Sequence, residues 1–70
     1  MKEKTIIYTR PDCPYCRAAK EDFKKRGIDY TELDVLYNQE NRKQMIKLTG
    51  KREVPVIVQG TQFTIGFGGS

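Results

Sequence analysis

Two thiols stand three positions apart in Cys13-Pro14-Tyr15-Cys16. Cysteines at that spacing can exchange electrons with a disulfide, or each can offer a metal one soft ligand. Their setting chooses between these uses. The apolar run Ile6-Ile7-Tyr8 lies shortly before them, and a segment with helical patterning starts at Pro14. A strand therefore delivers the pair to the end of a sheet, and a helix begins beneath it. Residues three apart in a first helical turn are neighbours, so both sulfurs can close into a small disulfide ring. The leading thiol, Cys13, faces the unpaired backbone N–H groups of the helix start, which with the macrodipole favour a thiolate. Pro14 has no N–H to lose and suits the first turn. The residues read as a reactive Cys13 and a shielded Cys16, built for thiol–disulfide exchange.

Bulk properties narrow the setting. The chain of 70 residues is one small domain spanning 1–70. A core of that size removes only ~60% of the unfolded surface from water. Two cysteines cannot build the bridge framework of a secreted mini-protein. No secretory signal or long apolar run is present, so the expected location is cytoplasmic, with no membrane partner. In that compartment a Cys-x-x-Cys beside a βαβ pattern reads as redox-active. Tetrahedral zinc wants four ligands, and this chain has two thiols and no His. No bound metal is expected. The alternative class is a non-catalytic module in which two chains share a zinc ion or an iron–sulfur cluster. The net charge of +4 comes from Lys and Arg on both expected helices and reads as solvated faces. No reading motif accompanies it, so no nucleic-acid partner is expected.

The elements that position the thiols follow in chain order. Lys4 to Thr9 has the composition of a strand covered on both faces. Pro14 to Arg26 reads as a helix with Ala19 and Phe23 inward and Lys20, Glu21, Lys24 and Lys25 mostly outward; Gly27 ends it. Ile28 to Val35 alternates as a second strand. Asn38 caps a second helix running to about Thr49 and stopped by Gly50, its apolar side being Met45, Ile46 and Leu48. Val54 to Val58 forms a third strand, Gln59-Gly60-Thr61 a turn, and Gln62 to Ile65 a fourth strand. The order βαβαββ implies a mixed sheet with a right-handed parallel crossover. Gly66-Phe67-Gly68-Gly69-Ser70 reads as a flexible end.

Beside the thiols, Arg10 either supports a thiolate or holds a carboxylate, or is only a solvated loop cation. Asp12 opposes a thiolate if it points inward. Tyr15 borders a substrate groove, or is an exposed ring without consequence. Val54-Pro55 opens a strand, where Pro is usual.

These residues together resemble the glutaredoxins of the thioredoxin superfamily. Cys13-Pro14-Tyr15-Cys16, Leu48-Thr49-Gly50 and Val54-Pro55-Val56 carry the resemblance, which runs from Thr5 to Phe67. It implies an α/β thioredoxin-like fold: four strands in the order 2-1-3-4, the third antiparallel to the first, with a helix on each face. It implies a cis Val54–Pro55 bond facing the thiols, and glutathione as co-substrate paired along the Val54 backbone like an added strand. Cys13 is then the nucleophile and Cys16 the resolving thiol. Arg10, Tyr15 and Arg42 fall where the family contacts glutathione, the two cations meeting its glycyl carboxylate. Gly66 and Phe67 fall at its γ-glutamyl end. Disulfide-containing proteins and a reductase are the other partners implied.

The departures shape further expectations. Glu53 stands where the family has Thr, an anion beside a groove for an anionic tripeptide. Gly66-Phe67-Gly68-Gly69 lacks the acid that follows the family's Gly-Gly. Gly-Phe here is similar to the glutaredoxin-like hydrogen donors of ribonucleotide reductase, which draw electrons from thioredoxin reductase. The family's last helix is absent; either the chain is naturally this short or it is cut near Ser70, where Gly-Gly-Ser fits a linker remnant. Without that helix, an apolar patch around Phe63 or Ile65 is expected to lie open on the first helix's side, with weak self-association or low stability as the result.

Overall fold

In a computed structural model describing residues 4–67, Thr5–Thr9 forms β1 at the centre of a four-stranded sheet. Its neighbours follow from its composition. A strand with Ile7 and Tyr8 both buried needs cover on two faces, and the two helices supply it. After β1 come α1 (Pro14–Lys25), β2 (Thr31–Asp34), α2 (Gln39–Thr49), β3 (Val56–Gln59) and β4 (Gln62–Ile65). The sheet order is β2-β1-β3-β4, with β1–β2 parallel and both other pairs antiparallel. This is the order and polarity expected from the sequence.

The register assigns every side chain to a face. On one face Ile7 and Ile57 pack with Ala19 and Phe23 of α1, joined by Ile28, Tyr30 and Phe67. On the other, Tyr8 and Val56 pack with Val35 and with Met45 of α2, flanked by Ile6, Leu33 and Ile65. Each large side chain fully buried this way is worth ~1.5–3 kcal/mol over leaving it exposed. Asn38 caps α2 by accepting a hydrogen bond from the Asn41 N–H at 3.0 Å. Gly50 closes it at φ 74°, a conformation a side chain would resist.

Several boundaries differ from the sequence reading. The first helix stops at Lys25, with Arg26 as its cap. The second strand starts at Thr31, not Ile28, because the Ile28 N–H goes to the Phe23 carbonyl (2.9 Å) and closes the helix end. The third strand starts at Val56, not Val54. Pro55 has no N–H for a ladder, and its carbonyl instead accepts from Gly66 N–H at 2.7 Å. Leu48 is 43% exposed, since α2 meets the sheet through Met45. Phe63 is equally open, but not on the expected face. It pairs with Val58 and Ile65 pairs with Val56, which places both on the α2 side. On the α1 side β4 presents Gln62 and Thr64, which tolerate water. The expected flexible end and linker remnant at Gly68-Gly69-Ser70 lie outside the described residues. No helix among the described residues is long and apolar enough to cross a membrane.

Candidate active site

Cys13 is the N-cap of α1. Its backbone is extended, its carbonyl accepts from Arg17 N–H at 3.2 Å, and its sulfur accepts from the Cys16 N–H at 3.3 Å. The Cys13 N–H in turn bonds the Arg10 carbonyl at 3.3 Å, folding Arg10-Pro11-Asp12-Cys13 into a tight turn off β1. The first helical turn thus holds a sulfur where a helix cap normally holds a side-chain oxygen. Across the sheet, the Cys13 sulfur lies 4.0 Å from the Val54 carbonyl oxygen, and the Val54–Pro55 peptide is cis.

The two thiols have opposite surroundings. Cys13 is half-buried, whereas Cys16 is 1% exposed. Burial, followed by its hydrogen bond with Cys13, pushes the Cys16 thiol up to about 12; a hydrogen bond involving the Arg10 backbone and, after it, the Lys20 charge pull the other way. Tyr15, between them, keeps its ring in solvent at 47% exposure.

A cavity of about 160 Å³ opens beside the turn, lined by Arg10, Val35, Leu36, Arg42, Met45 and Arg52. Its wall is set by Asp34, whose carboxylate accepts from the N–H groups of Leu36 (2.6 Å) and Tyr37 (3.1 Å). The Asp34 carbonyl accepts from the Asn41 side chain at 3.0 Å. This knot fixes the loop between β2 and α2 and sets Arg42 opposite Arg10. The fold therefore brings together the two cations singled out in the sequence and adds a third, Arg52. Its signal was present in Lys51-Arg52 directly before Glu53-Val54-Pro55. Arg10 also makes a 3.5 Å ion pair with Asp12, so Asp12 is turned to the cation rather than to the thiols. Glu53 is exposed. Gly66 reaches the site through its bond to Pro55, and Phe67, partly buried, packs against the α1 core. A larger groove, about 620 Å³, lies at the opposite end of β1 around Lys4, Gly27 and Tyr30 and contains neither thiol.

Lys20 is not outward as its helix position suggested. Its ammonium donates to Glu32 Oε2 at 2.8 Å, and the hydroxyl of Thr9 donates to the same oxygen at 2.7 Å. Sequence reasoning passed over all three; the available signal was that Lys20 follows Cys16 by one helical turn. Among the described residues no three His, Cys, Asp or Glu side chains gather as metal ligands.

The glutaredoxin family model matches residues 5–64. A glutaredoxin-like 8.6 kDa protein in the rubredoxin operon of Clostridium pasteurianum is 34% identical over 61 residues, covering 87% of this chain and 81% of that protein. Glutaredoxin 3 of Escherichia coli K12 is 41% identical over 51 residues, covering 73% of this chain and 61% of that protein. Among solved structures, the glutaredoxin-like protein NrdH-redoxin from Escherichia coli matches with a TM-score of 0.81 at 32% identity, covering 93% of this chain and 84% of that one. A thiol pair at a helix start on a 2-1-3-4 sheet, matched over this length, has one assignment: the chain belongs to the glutaredoxin family of thiol–disulfide oxidoreductases.

Proposed function

We propose that the protein reduces disulfides and glutathionylated thiols with electrons from glutathione, using Cys13 as nucleophile and Cys16 as resolving thiol. The Cys13 thiolate attacks one sulfur of a target disulfide; a mixed disulfide forms and the target leaves as a thiolate that takes a proton. With a protein disulfide, Cys16 attacks the Cys13 sulfur, frees the second target thiolate and closes the Cys13–Cys16 disulfide. With a glutathionylated target, a second glutathione thiolate attacks the glutathione sulfur on Cys13 and regenerates it. No bound cofactor enters either route.

The observation that carries this reading is the convergence of Arg10, Arg42 and Arg52 on one small cavity beside the Cys13 turn. Three guanidinium groups suit a carboxylate, which Arg binds in a fixed fork geometry. The glycyl carboxylate of glutathione is the ligand group assigned there. The Val54 carbonyl lies 4.0 Å from the Cys13 sulfur, and the Tyr15 ring is 47% exposed next in sequence to Pro14.

A second reading has its own support. The matched NrdH-redoxin is described as having a thioredoxin-like activity profile, and Gly66-Phe67 with no following acid fits a hydrogen donor reduced by thioredoxin reductase. Supplying NADPH with glutathione and glutathione reductase in one cuvette, and NADPH with thioredoxin reductase in another, decides between them. Turnover is expected in the first. Turnover in the second alone overturns the glutathione assignment of Arg10, Tyr15 and Arg42.

A further inference from the structure

We propose that Lys20 is a positioning residue for the second half of the exchange: its ammonium, tethered by Glu32 and Thr9, stabilises the thiolate that Cys16 must become. This rests on the dithiol reading above and adds to it the means by which a buried thiol is made to react.

The difficulty lies at Cys16. At 1% exposure its sulfur has no water to receive a charge, and an anion without a partner there is costly. Lys20 lies one turn further along α1, on the same helix face. A free lysine in that position would swing into solvent. This one is anchored at 2.8 Å to Glu32 on the neighbouring β2, and its side chain is only 29% exposed. The Glu32 oxygen that holds it is itself held by Thr9, which is 2% exposed and is the last residue of β1 before the Cys13 turn. The chain of contacts therefore runs from the strand end beneath the thiols, through the edge strand, back to the helix that carries both cysteines.

The charges around Cys16 are few. Cys13 and Lys20 face it from α1, the Arg10 backbone from the turn, and Glu32 acts through Lys20; Tyr30 and Asp34 bear only on the pair. Lys20 is held above its ordinary value by its bond to Glu32. Glu32 is held below its own by Lys20 first and Thr9 second. Both thus remain charged where the protein works, and Lys20 acts against the burial that pushes Cys16 up. Glu32 sets the strength of that effect, fixing the ammonium while offsetting part of its charge. In the step itself the Cys16 proton ends on the departing target sulfur, the Cys13–Cys16 bond forms as the Cys13–target bond breaks, and no outside reactant is consumed.

Rapid mixing of reduced protein with 5,5′-dithiobis(2-nitrobenzoate) separates the two halves. Attack by Cys13 releases one coloured thiolate, and attack by Cys16 on the mixed disulfide releases the second. In Lys20→Met the second phase is expected to slow about 10-fold, with its rate–pH curve displaced about one unit upward and the first phase little changed. Lys20→Arg should restore most of the rate. Glu32→Gln, which keeps an oxygen to hold the ammonium but removes the charge that offsets it, should move the curve downward. A second phase in Lys20→Met that keeps its rate, or slows without any displacement of the curve, overturns the proposal; so does Glu32→Gln slowing like Lys20→Met. Absence of a second phase in the unmodified protein, or its survival in Cys16→Ser, would instead overturn the dithiol reading on which the proposal stands.

Discussion

On the α1 face of the sheet, an apolar core of Ile7, Ala19, Phe23 and Ile57 gives way toward the end of β1 to Thr9, Glu32, Lys20 and the two thiols. On the α2 face, Tyr8, Val35, Met45 and Val56 pack with Ile6, Leu33, Val58 and Ile65 beside them, and no charged side chain is among them. One face keeps polar groups close to a reactive sulfur; the other is apolar under α2 and places its cations, Arg42 among them, at the rim. The difference teaches that chemistry and stability are divided between the faces. The α1 face can afford few apolar residues because part of it must hold a thiol and its counter-charges, so the α2 face carries the broader apolar cluster.

The largest effect should come from the face that does the chemistry. Cys13→Ser is expected to abolish every exchange activity, since no other described side chain is placed as a nucleophile. Cys16→Ser should lose most reduction of protein disulfides and keep deglutathionylation, because glutathione resolves that intermediate from solution. Coupled assays on both substrates check this. The assignment of roles is reversed if Cys16→Ser is the more damaging change in both.

Next come the two cores. Phe23→Ala removes the largest fully buried side chain of the α1 face, and Met45→Ala the point where α2 meets the sheet. Each is expected to cost roughly 3–5 and 2–5 kcal/mol respectively, enough to consume much of a small domain's stability. Denaturant unfolding reads both. If the division between the faces is right, a Met45→Ala protein still folded at low temperature keeps its Cys13 alkylation rate, whereas Phe23→Ala, in the helix that holds the thiols, changes it.

Most of this layout was legible in the chain. The period of the strands, the Asn38 cap, and Gly27 and Gly50 fix local conformations that no tertiary contact overrides. The thiol pair was legible because its position before a helix is local as well. What escaped was long-range. Arg52 joins Arg10 and Arg42 only after the chain folds back, and Glu32 reaches Lys20 only through strand pairing. Phe63 went to the wrong face because its side depends on the register with Val58, which the sequence of β4 alone does not state. Phe67 packs, partly buried, against the α1 core, a contact that the sequence of the chain end alone does not state.

The cation cavity gives a smaller effect and tests whether the α2 rim serves the α1 face. Arg42→Leu should weaken glutathione use through KM rather than kcat, because the carboxylate it is assigned lies away from the sulfur. A charge-assisted bond of this kind is worth about 1.5–3 kcal/mol, or roughly 10- to 150-fold. Arg10 and Arg52 share the load, so the lower end is expected for a single change. Glutathione kinetics with a small glutathionylated substrate measure it. A fall in kcat with KM unchanged would place Arg42 in the chemistry and erase the division.

The smallest effect is the pH dependence of stability contributed by the Lys20–Glu32 pair. The pair is partly exposed, with 29% and 40% of the side chains open, so its worth is that of a surface ion pair, ~0.2–1 kcal/mol. Glu32 is held below its ordinary value of 4.5, so its contribution is complete above that value and disappears as pH falls through the lower folded value. Lys20 is held above 10.5, so its contribution is complete below that value and is lost as pH rises through the higher folded one. Cys16 adds a separate alkaline limb: raised from 9.0 to about 12, it stabilises the reduced fold below 9.0 and loses that contribution toward 12. Thermal unfolding of reduced wild-type protein and Glu32→Gln across the acid range isolates the first of these. The two curves should be separated by a constant amount near neutrality and converge as the carboxylate is protonated. A separation that persists unchanged through that range would mean that Glu32 stabilises the fold by packing alone, and that the polar end of the α1 face is no more electrostatic than the apolar face opposite.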